Sequence, residues 1–161
     1  MQLPLSLAGA ALLLAFAVAP VVVPVAAWAQ PASLQQMGPQ PVGRWLTQDH
    51  DGVVEITPCG DALCGRIVGM SQPFLPDGSP PRDPQGRPQC GLQILRATLT
   101  DTGRWAGKIT DPGDGSAWNC AFWLDGAGRL HLRGYVLAPL LGRTQLWTRY
   151  EGAVDSACRM S

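Results

Sequence analysis

Polar and apolar residues alternate along most of the chain after residue 42, and helical periodicity is nearly absent there. Alternation with a period of two is typical of strands that bury one face. Clusters of Asp, Gly and Pro such as "DHDG", "DPGDG" and "DGAG" separate the alternating segments and are typical of turns. The pattern predicts eight strands, at residues 43–48, 53–58, 64–70, 92–100, 104–110, 116–124, 129–137 and 143–150.

Short turns join most of these segments, so the sequence predicts an all-β fold with strands that pair in chain order. The expected architecture is a single antiparallel up-and-down barrel of about eight strands. Closure into a barrel would remove the exposed sheet edges, and an open sandwich is the alternative. The connection over residues 71–89 is long and rich in Pro, so we expect an ordered or mobile lid loop there.

The two ends of the alternating region also favour closure. The first strand carries Gly43 and Trp45, and the last strand ends in Arg149. In a closed barrel these strands are neighbours, so the arginine can lie on the indole face. This arrangement resembles the G-x-W motif and terminal arginine of lipocalins, which implies a lipocalin-like barrel with structural roles for Trp45 and Arg149.

Alternation within the sixth and seventh segments indicates which residues face the interior. The expected lining is Trp118, Phe122, Leu132 and Val136. On the opposite face of the seventh strand lie His131, Arg133 and Tyr135. Arg133 and Tyr135, together with Arg143 in the run "RGYVLAPLLGR", are either a strand and bend or a barrel rim that contacts a ligand or partner. We assign the lining residues, Arg133 and Tyr135 as candidate ligand-binding residues.

The pair Cys59 and Cys64 in "EITPCGDALCGRIV" lies between two strand-like runs. A zinc site would show a second pair of closely spaced ligands, and a thioredoxin-like couple would show C-x-x-C at a helix start. The C-x4-C spacing across a short turn instead predicts a disulfide that spans the mouth of a hairpin. Its main effect would be to fix the strand register.

Three further cysteines leave one thiol unpaired. We expect a second bridge between Cys90 and Cys120, with Cys158 free near the terminus. In a plain meander one strand separates the first two, which places their Cα atoms about 10 Å apart, beyond disulfide reach. Cys90 would therefore have to curl in from the loop that precedes its strand.

The first 29 residues contain no charged side chain and end in Ala27-Trp28-Ala29, a pattern that precedes signal-peptide cleavage. A membrane anchor is the alternative, because the apolar run is long enough to span a bilayer. We expect export to the periplasm or the medium. The expected divisions are a signal peptide (1–29), a flexible lead (30–41), the barrel (42–152) and a C-terminal tail (153–161).

All 12 Lys and Arg and all 12 Asp and Glu follow the apolar leader, so the formal charge is zero. This balance does not suggest a nucleic acid or an anionic membrane surface as partner. No motif for a nucleotide, a catalytic serine or zinc occurs, so we expect no cofactor and no metal. Asp111 and Asp114 are expected to be solvated turn residues, because a calcium loop needs more oxygen ligands.

Longer motifs support a more specific resemblance. The ordered set "GRWLTQDHDGVVEITPCGDALCGRIV", "PDGSPPRDPQGRP", "CGLQIL", "WAGKITDPGDGSAWNC" and "LRGYVLAPLLGRTQLWTRY" resembles the exported bacterial family called domain of unknown function 2147. The resemblance covers nearly all of residues 43–150 and implies a small exported β-rich domain with no established activity. In "RDPQGRP" the family's middle loop is shortened and lacks its Asn-Pro.

Three functions remain open on the sequence. The first is a non-catalytic barrel that binds a small, partly apolar molecule. The second is an envelope interaction or structural module with a packed barrel. The third is a hydrolase that uses acidic residues without a recognised motif, for example Asp83 and Asp111 brought together by the fold. The volume left inside the barrel separates the first two; the sequence does not specify the oligomeric state.

Overall fold

The computed structural model describes residues 40–161, so the expected signal peptide and residues 30–39 lie outside the described residues. Eight antiparallel strands form one closed up-and-down barrel in chain order, which confirms the predicted fold. The strands are β1 (Gly43–Leu46), β2 (Gly52–Cys59), β3 (Ala62–Met70), β4 (Gln93–Leu99), β5 (Trp105–Thr110), β6 (Ala117–Leu124), β7 (Leu130–Tyr135) and β8 (Arg143–Arg149). A short 3₁₀ helix, Pro139–Leu141, precedes β8. Within residues 40–161 no helix is long and apolar enough to cross a membrane.

The barrel core follows the two-residue alternation of the strands. Phe122 of β6 lies opposite Leu132 of β7, and Leu124 lies opposite Leu130. The largest fully buried side chains include Trp45, Phe122 and Leu130. Because each strand turns every second residue inward, these side chains meet in a single cluster.

A β-bulge breaks the alternation between β3 and β4. Leu95 pairs with Gly65 and Gln93 pairs with Arg66, so Ile94 is the extra residue of β4. A bulge lets two consecutive residues turn toward the same side of the sheet. Ile94 and Leu95 are accordingly both buried in the core cluster.

Arg149 and Trp45 close the barrel between its last and first strands. The two residues are paired across the β1–β8 ladder, and the guanidinium carbon lies 4.0 Å from the centroid of the indole ring. The first and last strands are thus neighbours, as expected, and the cation–π contact between Arg149 and Trp45 joins them. Gly43 makes room for it, since a Cβ there would collide with Nη1 of Arg149.

The segment that leads into β1 is bonded to the same two side chains. The Nε1 of Trp45 donates to the carbonyl of Pro41 at 2.9 Å. Arg149 donates through Nη1 to the carbonyl of Val42 and through Nη2 to that of Gln40 at 3.4 Å. Three consecutive carbonyls are therefore bonded by the closing pair.

The structure contains a disulfide between Cys59 and Cys64, with Cα atoms 5.8 Å apart. Cys59 ends β2 and Cys64 lies near the start of β3, so the bridge spans the mouth of a tight hairpin. In the chain-entropy description a loop this short contributes about 2 kcal/mol.

The expected bridge between Cys90 and Cys120 is wrong: Cys90 is bonded to Cys158, and Cys120 is the free thiol. Residues 90–92 run beside Ile67 of β3, through hydrogen bonds that Ile67 makes with Gly91 and Leu92. The C-terminal segment reaches the same strand, where the Met70 N–H donates to the Cys158 carbonyl at 2.7 Å. The two cysteines therefore meet beside β3, with Cα atoms 5.8 Å apart.

The position of Cys120 in β6 keeps its thiol apart from Cys90 and Cys158. Its side chain is fully buried in the barrel core. Burial raises the pKa of the Cys120 thiol to about 12. The thiol is therefore neutral and inert at physiological pH.

The expected C-terminal tail packs against the barrel. Val154 and Met160 pair with each other, and Arg159 forms a parallel bridge to Met70 at the end of β3. A Cβ added at Gly69 would lie 2.8 Å from Met160 and 3.1 Å from Val154. The segment thus covers the outer surface of β3 and lets Cys158 reach Cys90.

A turn of the form Asp-x-x-x-Arg occurs three times in the described chain. In each turn the aspartate Oδ1 accepts hydrogen bonds from the backbone N–H groups two and four residues later. The fourth position has a positive φ in all three and is occupied by Gly86, Gly128 and Cys158. Cys158 thus stands where glycine is the usual residue, at the point where the second disulfide forms.

Peptide mapping without reduction tests the corrected pairing. We expect linked peptides for Cys59–Cys64 and Cys90–Cys158, and one thiol that reacts with a thiol reagent only after unfolding, because Cys120 is buried. A peptide that links Cys120 to another cysteine, or rapid labelling of the native protein, would contradict the structure.

Replacing Arg149 by Lys tests the closing contact. Lysine keeps the charge but loses the planar stacking and the paired donors, so we expect the free energy of unfolding to fall by about 1–2 kcal/mol. The measurement is chemical denaturation. Arg143→Lys on the same strand is the matched control, because the Arg143 side chain makes no hydrogen bond or ion pair within residues 40–161. Equal losses in the two variants would count against the role of Arg149.

Candidate functional site

The two ends of the barrel differ in how they are filled. In an up-and-down barrel alternate connections emerge at the same end. The β3–β4, β5–β6 and β7–β8 connections therefore share one end, the open end, and the turns after β2, β4 and β6 share the closed end. A cavity of about 430 Å³ lies at the open end. Its wall includes residues of the β5–β6 turn and of the β7–β8 connection.

The cavity wall is apolar over most of its area, with polar groups toward the mouth. The apolar side chains are Ile94, Ile109, Trp118, Leu132, Val136 and Leu141. The polar side chains are Thr110, Asp111, Tyr135, Arg143 and Gln145. Such a combination of an apolar wall with a few polar groups is typical of small-molecule sites.

Gly134 of β7 keeps this part of the barrel hollow. It lies between Cys120 of β6 and Arg143 of β8 in the register. A Cβ added at Gly134 would meet no atom within 4 Å. The space in front of this residue is therefore unfilled, and any side chain placed there would enter the cavity.

Two polar side chains of β8 are positioned to donate hydrogen bonds into the cavity. The Gln145 Oε1 accepts from Nε1 of Trp147 at 2.8 Å, which fixes the amide and leaves its NH₂ free to donate. Arg143 is exposed at the mouth, and its guanidinium has no hydrogen bond or ion pair within residues 40–161. Asp111 Oδ1, by contrast, already accepts from the Gly113 N–H at 2.7 Å.

The structure brings together four of the six side chains predicted to bind a ligand. Trp118, Leu132, Tyr135 and Val136 line the cavity. Val136 lies at the mouth, where 68% of it is exposed.

The other two predicted residues lie elsewhere. Phe122 is part of the packed floor, where it stacks on Trp105 with ring centroids 6.4 Å apart. Arg133 lies on the outer face, and its Nη1 donates to the Thr144 Oγ1 at 2.8 Å. It also donates to carbonyls of the β7–β8 connection.

Three of the cavity-wall residues that sequence reasoning missed show the different reasons for the misses. Ile109 follows the simple alternation of β5 and could have been found from it. Ile94 faces inward only because of the bulge, which the pattern does not reveal. Gln145 is a polar residue on the inner face of β8, and a hydrophobic pattern assigns such residues to the outside.

A family model described as "Uncharacterized protein conserved in bacteria (DUF2147)" matches residues 43–149, which span all eight strands. The chain belongs to this family. The DUF2147 description names no activity or ligand. No curated protein matches the chain.

One solved structure resembles this DUF2147 chain. It is described as "Protein HP1028 from the human pathogen Helicobacter pylori belongs to the lipocalin family". The two chains are 17% identical over 70% of this chain and 84% of the other, with a TM-score of 0.56. At this identity the likeness concerns the fold, and it agrees with the closed barrel of eight strands.

Asp83, in the β3–β4 connection of this DUF2147 chain, is engaged within its own turn. Its Oδ1 accepts from the Gln85 and Arg87 N–H groups, and its Oδ2 lies 2.6 Å from Nη2 of Arg87. Burial opposes ionisation, but the hydrogen bonds and charge of Arg87 outweigh it and hold the Asp83 pKa below its ordinary value. Both oxygens are therefore occupied, and the carboxylate is ionised at neutral pH.

Metal ligation finds no support in the described part of this DUF2147 chain. Within residues 40–161 no group of three or more His, Cys, Asp or Glu side chains is placed to hold a metal ion. Asp114, which the sequence predicts to be a turn residue, accepts hydrogen bonds from the backbone and hydroxyl of Ser116. That carboxylate stabilises the β5–β6 turn.

A second group of interacting side chains lies on the outer face near the closed end. Trp123 stacks on His131 with ring centroids 5.3 Å apart, and the Arg104 guanidinium lies 4.0 Å from the indole centroid. The Asp125 Oδ2 lies 3.1 Å from Nε2 of His131. Hydrogen bonds from the backbone of Arg129, then from His131 and the Arg129 side chain, hold the Asp125 pKa well below its ordinary value.

This lowered pKa predicts a pH-dependent effect for Asp125→Asn. A carboxyl whose pKa falls on folding stabilises the native state above its ordinary pKa of 3.8, and the contribution is lost as the pH falls further. We therefore expect the variant to unfold at a lower temperature than the wild type at pH 7, and the difference to shrink as the pH falls toward about 2.

Thermal unfolding followed by circular dichroism across this pH range provides the measurement. Asp49→Asn is the matched control, because Asp49 is exposed in the β1–β2 turn. A difference between Asp125→Asn and wild type that stays constant with pH would contradict the assignment.

Proposed function

We propose that this DUF2147 protein binds a small, partly apolar molecule in the cavity at the open end of its barrel. The observation that carries the proposal is the unfilled space in front of Gly134, where an added Cβ would meet no atom within 4 Å. Barrels of eight strands are either filled by their own side chains or hold one small ligand. The second arrangement accounts for the hollow open end.

The volume and the apolar wall of the cavity together support this function, because a depression of about 520 Å³ at the closed end has a wall that is about half polar. At about 430 Å³ the cavity falls within the range of about 300–1,000 Å³ that is common for small-molecule sites. The closed end below it is packed by fully buried side chains such as Trp45 and Phe122. A rigid floor lets the cavity keep its shape when it is empty, which lowers the cost of ordering on binding.

The polar groups at the mouth favour a ligand with an oxygen-rich end. Arg143 and the amide of Gln145 can donate hydrogen bonds, and Tyr135 and Asp111 also contribute to this part of the wall. An apolar body would contact Trp118, Leu132 and the other apolar side chains of the wall. A ligand with a carboxylate or several hydroxyl groups at one end and a hydrocarbon or ring at the other fits this distribution.

We further propose that the protein acts outside the cytoplasm. The two disulfides support this location, because disulfides persist in oxidising compartments. The bridge between Cys90 and Cys158 closes a loop of 68 residues, which corresponds to roughly 4 kcal/mol in the chain-entropy description. A reducing environment would remove that contribution.

Filling the cavity tests the binding proposal. Gly134→Leu adds a side chain to open space, so the barrel should still fold. We expect the affinity for 1-anilinonaphthalene-8-sulfonate, a probe with an apolar body and an anionic group, to fall by about tenfold or more. Fluorescence titration at constant ionic strength provides the measurement.

Gly126→Leu is the matched control, because a Cβ at Gly126 also meets no atom within 4 Å. Gly126 lines a separate depression at the closed end. Loss of probe binding in the control but not in Gly134→Leu would place the probe at the closed end and contradict the proposal.

Native mass spectrometry of protein purified from its own host tests the proposal without a probe. A co-purifying mass that disappears in Gly134→Leu is the expected result. A mass equal to that of the chain alone, in both wild type and variant, would favour the structural module instead.

A further inference from the structure

The connection between β7 and β8 exposes a cluster of aliphatic side chains at the mouth of the barrel. We call residues 136–141 the apolar tip. The exposed fractions are 68% for Val136, 84% for Leu137, 88% for Leu140 and 74% for Leu141. The other exposed large apolar residues within 40–161, Phe74 and Leu75, expose 41% and 48%. Clusters of exposed apolar side chains in one short segment are typical of surfaces that contact a partner or a membrane.

Arg133 bonds to the backbone of the apolar tip from the outer face of β7. Its Nε donates to the carbonyl of Pro139 at 2.5 Å, and its Nη2 donates to that of Leu140 at 3.2 Å. The Pro139 carbonyl also accepts from the Gly142 N–H at 3.1 Å. A charged side chain therefore bonds two carbonyls of this exposed segment.

Two further carbonyls of the apolar tip are satisfied within the protein. The Val136 carbonyl accepts from Nδ2 of Asn119 at 3.1 Å, and the Ala138 carbonyl accepts from the Leu141 N–H at 3.0 Å. Solvent-exposed loops can leave such groups to water. In a hydrocarbon medium an unsatisfied carbonyl is strongly unfavourable. Four of the six carbonyls of residues 136–141 are thus bonded before the tip meets any partner.

We propose that the apolar tip inserts into the surface of a lipid bilayer. Aliphatic side chains that are strongly exposed and a backbone with four of its six carbonyls already bonded suit a medium with few hydrogen-bonding groups. The surrounding residues suit the headgroup layer: Arg143 and Tyr135 lie beside the tip, and Lys108 lies on β5 two strands away. Arginine, lysine and tyrosine commonly anchor proteins at this level of the membrane.

The protein as a whole carries no net charge, so apolar contact supplies the main attraction. Asp111 and Asp114 in the neighbouring β5–β6 turn offset part of the local positive charge. We therefore expect zwitterionic vesicles to bind the protein, and anionic lipid to strengthen binding only modestly. The inference does not depend on the proposed ligand, although Val136 and Leu141 belong to both the tip and the cavity wall.

Vesicle flotation of the exported chain tests the inference, with phosphatidylcholine vesicles and with mixtures that contain phosphatidylglycerol. We expect the wild type to float with both. In the double variant Leu137→Asp, Leu140→Asp we expect the partition coefficient to fall by about 100-fold, roughly tenfold for each leucine. Both leucines are strongly exposed, so the barrel should fold unchanged, which circular dichroism can verify.

Leu75→Asp is the matched control, because it places the same change on another exposed leucine of the open end. We expect it to change partitioning by less than about twofold. Equal losses in the control and the double variant would overturn the assignment to the apolar tip. A wild type that does not float with either vesicle would also overturn the inference.

Sedimentation without lipid distinguishes a second copy of the chain as the partner. A wild-type dimer that the double variant converts to a monomer would show that the tip is covered by another protomer, and would overturn the lipid assignment. Gly134→Leu distinguishes this inference from the ligand proposal. It should float like the wild type, because its side chain enters the cavity and leaves Leu137 and Leu140 exposed.

Discussion

The contact between the first and last strands is the constraint on which the interior of this barrel depends. β1 has only four residues, and two residue pairs join it to β8. Backbone pairing alone gives this seam little strength. The guanidinium of Arg149 compensates, because its face can cover the Trp45 ring while its N–H groups bond the carbonyls of Gln40 and Val42. An open seam would expose the core and abolish the cavity above it.

Much of this architecture follows from short-range features of the sequence. Alternation and turn chemistry predict eight strands in chain order, because each hairpin is specified by residues close together in the chain. Once eight strands are predicted, closure of the barrel is enough to place Trp45 and Arg149 on neighbouring strands. The hairpin spacing of Cys59 and Cys64 is likewise local. These features share one property: no contact between distant segments has to be known in advance.

The parts that could not be predicted depend on such contacts or on exceptions to the alternation. The bond between Cys90 and Cys158 requires the C-terminal segment to return along β3, and no local sequence pattern predicts that return. Ile94 enters the cavity through a bulge, which shifts the inward face by one residue. Arg143 and Gln145 are polar residues on the inner side of β8, so a pattern based on hydrophobicity assigns them to the wrong face. A cavity with polar groups at its mouth is for this reason harder to predict than a packed floor.

The Cys90–Cys158 bridge also changes the covalent topology of the molecule. It joins the segment before β4 to the segment after β8 and encloses five strands in a single covalent ring. A protease that cuts the exposed β7–β8 connection would leave both fragments in one molecule, still held together by sulfur. A cut in the loop before Cys90 would instead separate β1, β2 and β3 from the ring, leaving only non-covalent pairing to hold them. Cleavage of these two loops, which lie at the same end of the barrel, therefore has different results: only the cut before Cys90 produces two fragments that no covalent bond joins.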